Sequence, residues 1–405
     1  MEGNVNIYIE FMFLVGNLWE RSKGMAVNFY KKLLKLVFIG TGTIRHWRGD
    51  YEKAVRTLEQ AVHLEPNNPQ LHWKLGCIYL KSQNIEKSLY HLEHAVKLGN
   101  RDPLYVLWLS NAQNFSGNIT VASNLVEEVI EKLPDSAEAW YLKGKYLIEQ
   151  GEKEEGLKCL DKSIELDPRN IEVWNEIGCF YLANNQTMLA LESFRKGLEI
   201  KSKETSLLFN LGLTYLKLED YEHALFYLEK AKKYNLKNVK LYNALGLCYS
   251  KLNRLNLAED IYQETLKLFP EDVESLSNLA AIKAQKGLYL QSLILYEKIL
   301  KIDPYDSTIL NNTAWCLEKL NRLDEAISYY YRALAREPEN SIFRLNLSEC
   351  LYKKGYFGEA IEHLEKIISS EKENSKAWQI LGNIYDSMKL HAKAVDCFNK
   401  ALGLE

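Results

Sequence analysis

One spacing constrains this chain more than anything else in it. From residue 35 to residue 405 a 34-residue beat runs without an insertion. Two positions in each period carry it. The first reads Gly42, Gly76, Ser110, Gly144, Gly178, Gly212, Gly246, Ala280, Ala314, Ser348, Gly382. The second, twelve residues on, reads Ala54, Ser88, Ala122, Gly156, Ala190, Ala224, Ala258, Ser292, Ala326, Ala360, Ala394. All are Gly, Ala or Ser, which make up only about a fifth of ordinary sequence. A fixed period of this length marks one supersecondary unit stacked many times. Such a chain grows along an axis instead of closing around one core, so its length does not imply several globular domains.

The repeats begin at 35, 69, 103, 137, 171, 205, 239, 273, 307, 341 and 375, the last being short. Counting each from its own first residue, slots 4, 7, 8 and 11 are mostly apolar or small, as in Trp174, Ile177, Gly178 and Tyr181. That is one face of an amphipathic helix. Slots 20, 24 and 27 repeat the pattern, as in Ala224, Leu228 and Ala231. Each repeat is therefore read as a helical hairpin, and the fold class as all-α. The small residues at slots 8 and 20 are expected to face each other and let the two helices approach closely. Gly49, Gly117, Gly151, Gly287 and Gly355 fall at slot 15, where a helix end wants a left-handed residue. All eight prolines occupy slot 32 or slot 1, outside any helix interior.

These slots resemble the tetratricopeptide repeat family. The eleventh repeat comes close to its full pattern with Trp378, Leu381, Gly382, Tyr385, Ala394, Phe398 and Ala401. The first and third are the weakest matches; the first has Thr41 and Arg45 where leucine and tyrosine are expected. The resemblance implies a right-handed superhelical solenoid whose first helices line a concave groove, and a function in protein–protein interaction.

Slots 2, 5, 6, 9, 12 and 13 of the first helices lie off their packing face and are read as groove-lining. In repeats two to four they carry Trp73, Trp108 and Tyr141. From repeat five to ten each repeat has asparagine at slot 5 or 6: Asn175, Asn210, Asn243, Asn278, Asn311, Asn312 and Asn346. An asparagine amide both donates and accepts, so a row of them can hold an extended backbone whatever its side chains. The slot-6 members Asn210, Asn278, Asn312 and Asn346 are similar to the asparagine ladder in the repeats of O-linked N-acetylglucosamine transferases. Repeat seven breaks that row with Ala244, a gap that Asn243 either fills or does not. The plain alternative is a solvated polar groove that needs no ligand. Trp315, at slot 9 among these asparagines, reads equally as an aromatic anchor and as packing against a second helix. The family's carboxylate clamp for chaperone tails has no match: no slot 5 is lysine.

Composition excludes more than it assigns. A net charge of −3 lacks the basic face that nucleic acid requires. The seven cysteines form no CxxC pair and read as reduced, small apolar residues in a reducing compartment. No HExxH, phosphate loop or dinucleotide motif occurs, so no catalytic residue, metal or cofactor is expected. His91 and His94 share a helix face and read as solvated surface. No apolar run is long enough to cross a membrane. Residues 1–34 fall outside the beat. They read as a capping or anchoring segment, since a helix over 26–39 carries Phe29, Tyr30, Leu33, Leu34 and Val37 among Lys31, Lys32 and Lys35. The eleventh repeat carries no polar cap, which points to burial against another chain, a second copy included. The chain thus reads as a non-catalytic, cytoplasmic scaffold that binds an extended peptide or helix of a partner protein. The alternatives are a peripheral membrane-associated assembly factor and a targeting subunit of a glycosyltransferase system.

Overall fold

The computed structural model describes residues 51–404. The expectations for residues 1–34 and for the first helix of repeat one, with Gly42 and Gly49, lie outside the described residues.

Helix follows helix, and among the described residues there is no strand. The first helices are Pro69–Lys81, Pro103–Phe115, Ala137–Gln150, Ile171–Ala183, Thr205–Lys217, Val239–Lys251, Val273–Gln285, Ser307–Lys319, Ser341–Lys354 and Ser375–Ser387. The second helices are Tyr51–Leu64, Ile85–Leu98, Ile119–Lys132, Lys153–Leu166, Thr187–Ile200, Tyr221–Lys233, Leu255–Leu268, Tyr289–Ile302, Leu323–Arg336, Phe357–Ser370 and His391–Ala401. The chain is thus all-α and built of tandem helical hairpins.

The last slot of one repeat starts the next. Asn68, Asp102, Ser136, Asn238, Asp272, Asp306, Asn340 and Asn374 each accept a backbone N–H from the first turn that follows. Each such cap stabilises its helix by about 1 kcal/mol. Slot 15 ends the first helix in the left-handed region, and not only where glycine allows it. Gly117, Gly151, Gly287 and Gly355 have positive φ, and so do Gln83, Asn185, Glu219, Asn253, Asn321 and Lys389 at the same slot.

The described chain divides into two compact bodies, one ending at Ala183 and the other beginning at Asn184. In each, the small slots bring helices together. A Cβ on Gly76 would lie 2.6 Å from Leu92 Cγ, and one on Gly212 would lie 2.7 Å from Leu228 Cγ. The slot-8 glycine therefore makes room for the large slot-24 residue of the partner helix. The slot-20 side chain sits on the slot-8 carbonyl: Ser88 Oγ donates to Gly76 O at 2.8 Å and Ser292 Oγ to Ala280 O at 2.8 Å. In the first body the core runs through Leu58, Leu75, Leu92, Val126, Tyr146 and Leu160. In the second it runs through Tyr262, Leu279, Tyr296, Tyr330, Leu347 and Leu364. None of the seven cysteines forms a disulfide, and all lie within helices. Burial pushes the Cys179 thiol up to about 11 and those of Cys248 and Cys350 up to about 12, so they stay protonated at neutral pH.

Candidate functional site

The asparagine row divides by slot and by body. Asn175 is half-buried in the first body; the other six belong to the second. There, the slot-5 residues Asn243 and Asn311 are buried, at 3% and 7% exposure. The slot-6 residues Asn210, Asn278, Asn312 and Asn346 are half-buried.

Asn243 joins repeat seven to repeat eight. Its Nδ2 donates to Asp272 Oδ2 and to Glu274 Oε2, both at 3.0 Å. Its Oδ1 accepts from Ser275 Oγ at 2.5 Å. Both ends of the amide are engaged within the protein. Asn311 acts as a relay: Asn346 Nδ2 donates to Asn311 Oδ1 at 3.0 Å, and Asn311 Nδ2 reaches Asn312 Oδ1 at 3.4 Å. Slot 5 of repeat nine and slot 6 of repeat ten therefore lie within one hydrogen bond of each other.

Two carboxylates on this face have lysine partners. Glu318 accepts from Lys353 Nζ at 2.5 Å and from Tyr330 Oη at 3.0 Å. Glu349 lies 3.0 Å from Lys353 Nζ and 3.6 Å from Lys376 Nζ. Trp315 is half-buried; its ring meets Tyr289 edge-on at 5.6 Å, with Lys319 Nζ 5.3 Å above it. The packing role weighed from sequence is therefore present.

The first body's aromatic residues flank its core. Trp73, Trp108 and Tyr141 pack as half-buried neighbours of the cluster built on Leu92, Val126 and Tyr146. Trp73 stands 6.0 Å from Tyr105. The groove slots here also bring carboxylates together, which the sequence reading passed over although the same register would have placed them. Glu138, Glu172 and Glu176 all act on Tyr141, whose phenol burial and these charges push well above its ordinary range.

A second cluster was also hidden by its spacing. His91 and His94 meet His72 of the preceding helix: the two Nδ1 atoms of His72 and His91 are 3.1 Å apart, and His94 stacks on His72 at 5.3 Å. His72 Nε2 is held by Pro66 O at 2.9 Å. The histidines are thus hairpin packing and not the solvated surface expected. Among the described residues no group of three ligand-type side chains could hold a metal ion.

Sequence models of the tetratricopeptide repeat match residues 42–83, 137–170, 159–192, 205–238, 239–272, 272–339, 320–384 and 375–405. No curated protein matches the chain in sequence. Among solved structures, a tetratricopeptide repeat protein from Parabacteroides merdae ATCC 43184 aligns at 19% identity, covering 57% of this chain and 92% of its own, with a TM-score of 0.48. YrrB, described as having an unusual peptide-binding site, aligns at 21% identity over 48% of this chain and 97% of its own, with a TM-score of 0.43. Yeast Tom70 aligns at 15% over 92% and 96%, with a TM-score of 0.39. At these identities the likeness concerns fold and nothing that the proteins bind.

Proposed function

This chain belongs to the tetratricopeptide repeat family, and on that footing we propose that it is a non-catalytic scaffold that holds an extended segment of a partner protein. Protein–protein interaction is the common business of such repeats. The finer reading, that the segment lies along the first helices of the second body, is supported by one observation. Asn210, Asn278, Asn312 and Asn346 all stay partly open at the same slot of their repeats. An extended chain advances about 3.3 Å per residue and presents a C=O and an N–H at each step. Amides at Asn210, Asn278, Asn312 and Asn346 suit that pattern without reading side chains. Each bond contributes only about 0.5–1.5 kcal/mol net, so affinity comes from several acting together. Asn243 is left out of the binding row because it is buried, with both ends of its amide engaged. Among the described residues no helix is long and apolar enough to cross a membrane.

The test is a paired capture, with mass spectrometry, from the chain's own cells. One bait is the unaltered chain; the other carries Asn210→Ala, Asn278→Ala, Asn312→Ala and Asn346→Ala, with helicity checked by circular dichroism. A partner held by the first and lost from the second supports the row as the binding site. Identical captures would show that the row is solvated groove and nothing more.

A further inference from the structure

The concave slots of the first body carry several carboxylates without an ion partner among the described residues. In the second body Glu318 and Glu349 have lysine partners. In the first, Glu138, Glu149, Glu172 and Glu176 form no ion pair among the described residues. Neighbouring repeats do face one another here: Asn114 Nδ2 donates to Glu149 Oε2 at 2.8 Å, and Lys145 Nζ lies 5.9 Å from the Phe115 ring centre. The same face carries exposed apolar side chains. Phe115 is 59% exposed and Leu104 is 46% exposed, beside the half-buried Trp108 and Tyr141.

Burial and neighbouring charge both act on these carboxylates. The Glu138 carboxyl is pushed up by the groove wall and then by the charge of Glu172. Glu176 is pushed up by its surroundings, with Lys145 offsetting part of the effect and Glu149 adding to it. A concave wall withdraws bulk water even from a side chain that solvent still touches, and like charges there repel. Such a face gains most from a ligand that brings positive charge and apolar surface together. Lysine and arginine do so, with aliphatic stems that lie on aromatic rings and heads that bond carboxylates.

We propose that the concave face of repeats three to five docks a lysine- or arginine-bearing segment of a partner protein, its cations against Glu138, Glu172 and Glu176 and its apolar side chains on Trp108, Phe115 and Tyr141. The proposal rests on the groove-binding reading above and adds to it the chemistry of one occupant.

The test uses the full chain and three short fluorescent peptides that alternate leucine with lysine, with glutamate or with serine. Fluorescence anisotropy should show the lysine peptide binding, and weakening as salt is raised. The triple variant Glu138→Gln, Glu172→Gln and Glu176→Gln should weaken it by about tenfold or more. Glu172→Lys alone, at an exposed position, gives an independent variant with the same sign. Lysine-peptide binding that is equal in the unaltered chain and both variants overturns the proposal. So does equal binding of all three peptides that is lost in Phe115→Ala, an outcome that leaves groove docking intact. No binding of any peptide, together with identical captures by the two baits described above, removes both the proposal and the reading beneath it.

Discussion

Gly144 and Gly156 stand so close that neither tolerates a methyl group. A Cβ on Gly144 would lie 2.7 Å from the Gly156 carbonyl oxygen, and one on Gly156 would lie 2.8 Å from the Gly144 carbonyl oxygen. The obstacle is backbone, which cannot rotate away. At Gly212 the obstacle is the Leu228 side chain, which can. Gly144→Ala should therefore cost about 1–3 kcal/mol. Gly212→Ala should cost less, and urea unfolding of the two variants measures the difference. Slot 15 makes the opposite case. Glu219 holds a φ of 60°, where a Cβ crowds its own carbonyl. Glycine there relieves strain but adds freedom to the unfolded chain, for a net gain of about 0.5–1 kcal/mol. Glu219→Gly is expected to raise the melting temperature, and Gly151→Ala, at φ 93°, to lower it.

At the scale of the helical hairpin, one residue type does two jobs according to its slot. Asn243→Ala would leave Ser275, Asp272 and Glu274 without their amide and should cost about 1–3 kcal/mol. Asn278→Ala, on the half-buried slot, should stay within about 0.5 kcal/mol. Equal costs in denaturant titrations would erase the distinction between packing and groove asparagines. The histidine hairpin of repeat two carries a pH dependence. His91 is held down to about 4 by burial, and then by His72, His94 and Lys87. Tyr79 stacks on it from the first helix and donates to Glu59 of the helix before. The folded state thus prefers neutral His91, while the unfolded chain takes up its proton near the ordinary 6.5. The contribution of His91 is whole above about pH 6.5 and is lost as pH falls toward 4. Melting temperatures between pH 7 and 5 should fall less steeply in His91→Gln than in the unaltered chain.

Across the whole molecule, what the sequence revealed and what it concealed have one physical cause. The hairpins were legible because small slots and prolines recur at fixed positions, and stacking demands the same of every repeat. The helix starts were legible too, in Asn68, Asp102, Ser136 and their successors, though they went unread. The groove was less so. Slots 5 and 6 are one residue apart, yet one turns Asn243 inward at 3% exposure while the other leaves Asn278 half-open, and identity alone does not separate them. The meeting of His72 with His91 joins residues on different helices, which no single-helix pattern displays. Stacked repeats contact chiefly their neighbours, so an occupant should leave a local footprint. Hydrogen–deuterium exchange on the full chain, alone and with a captured partner, reads that footprint directly. The account predicts slowed exchange on Thr205–Lys217, Val273–Gln285, Ser307–Lys319 and Ser341–Lys354, with the second helices little changed. Protection confined to second helices such as Tyr289–Ile302 and Leu323–Arg336 would contradict it.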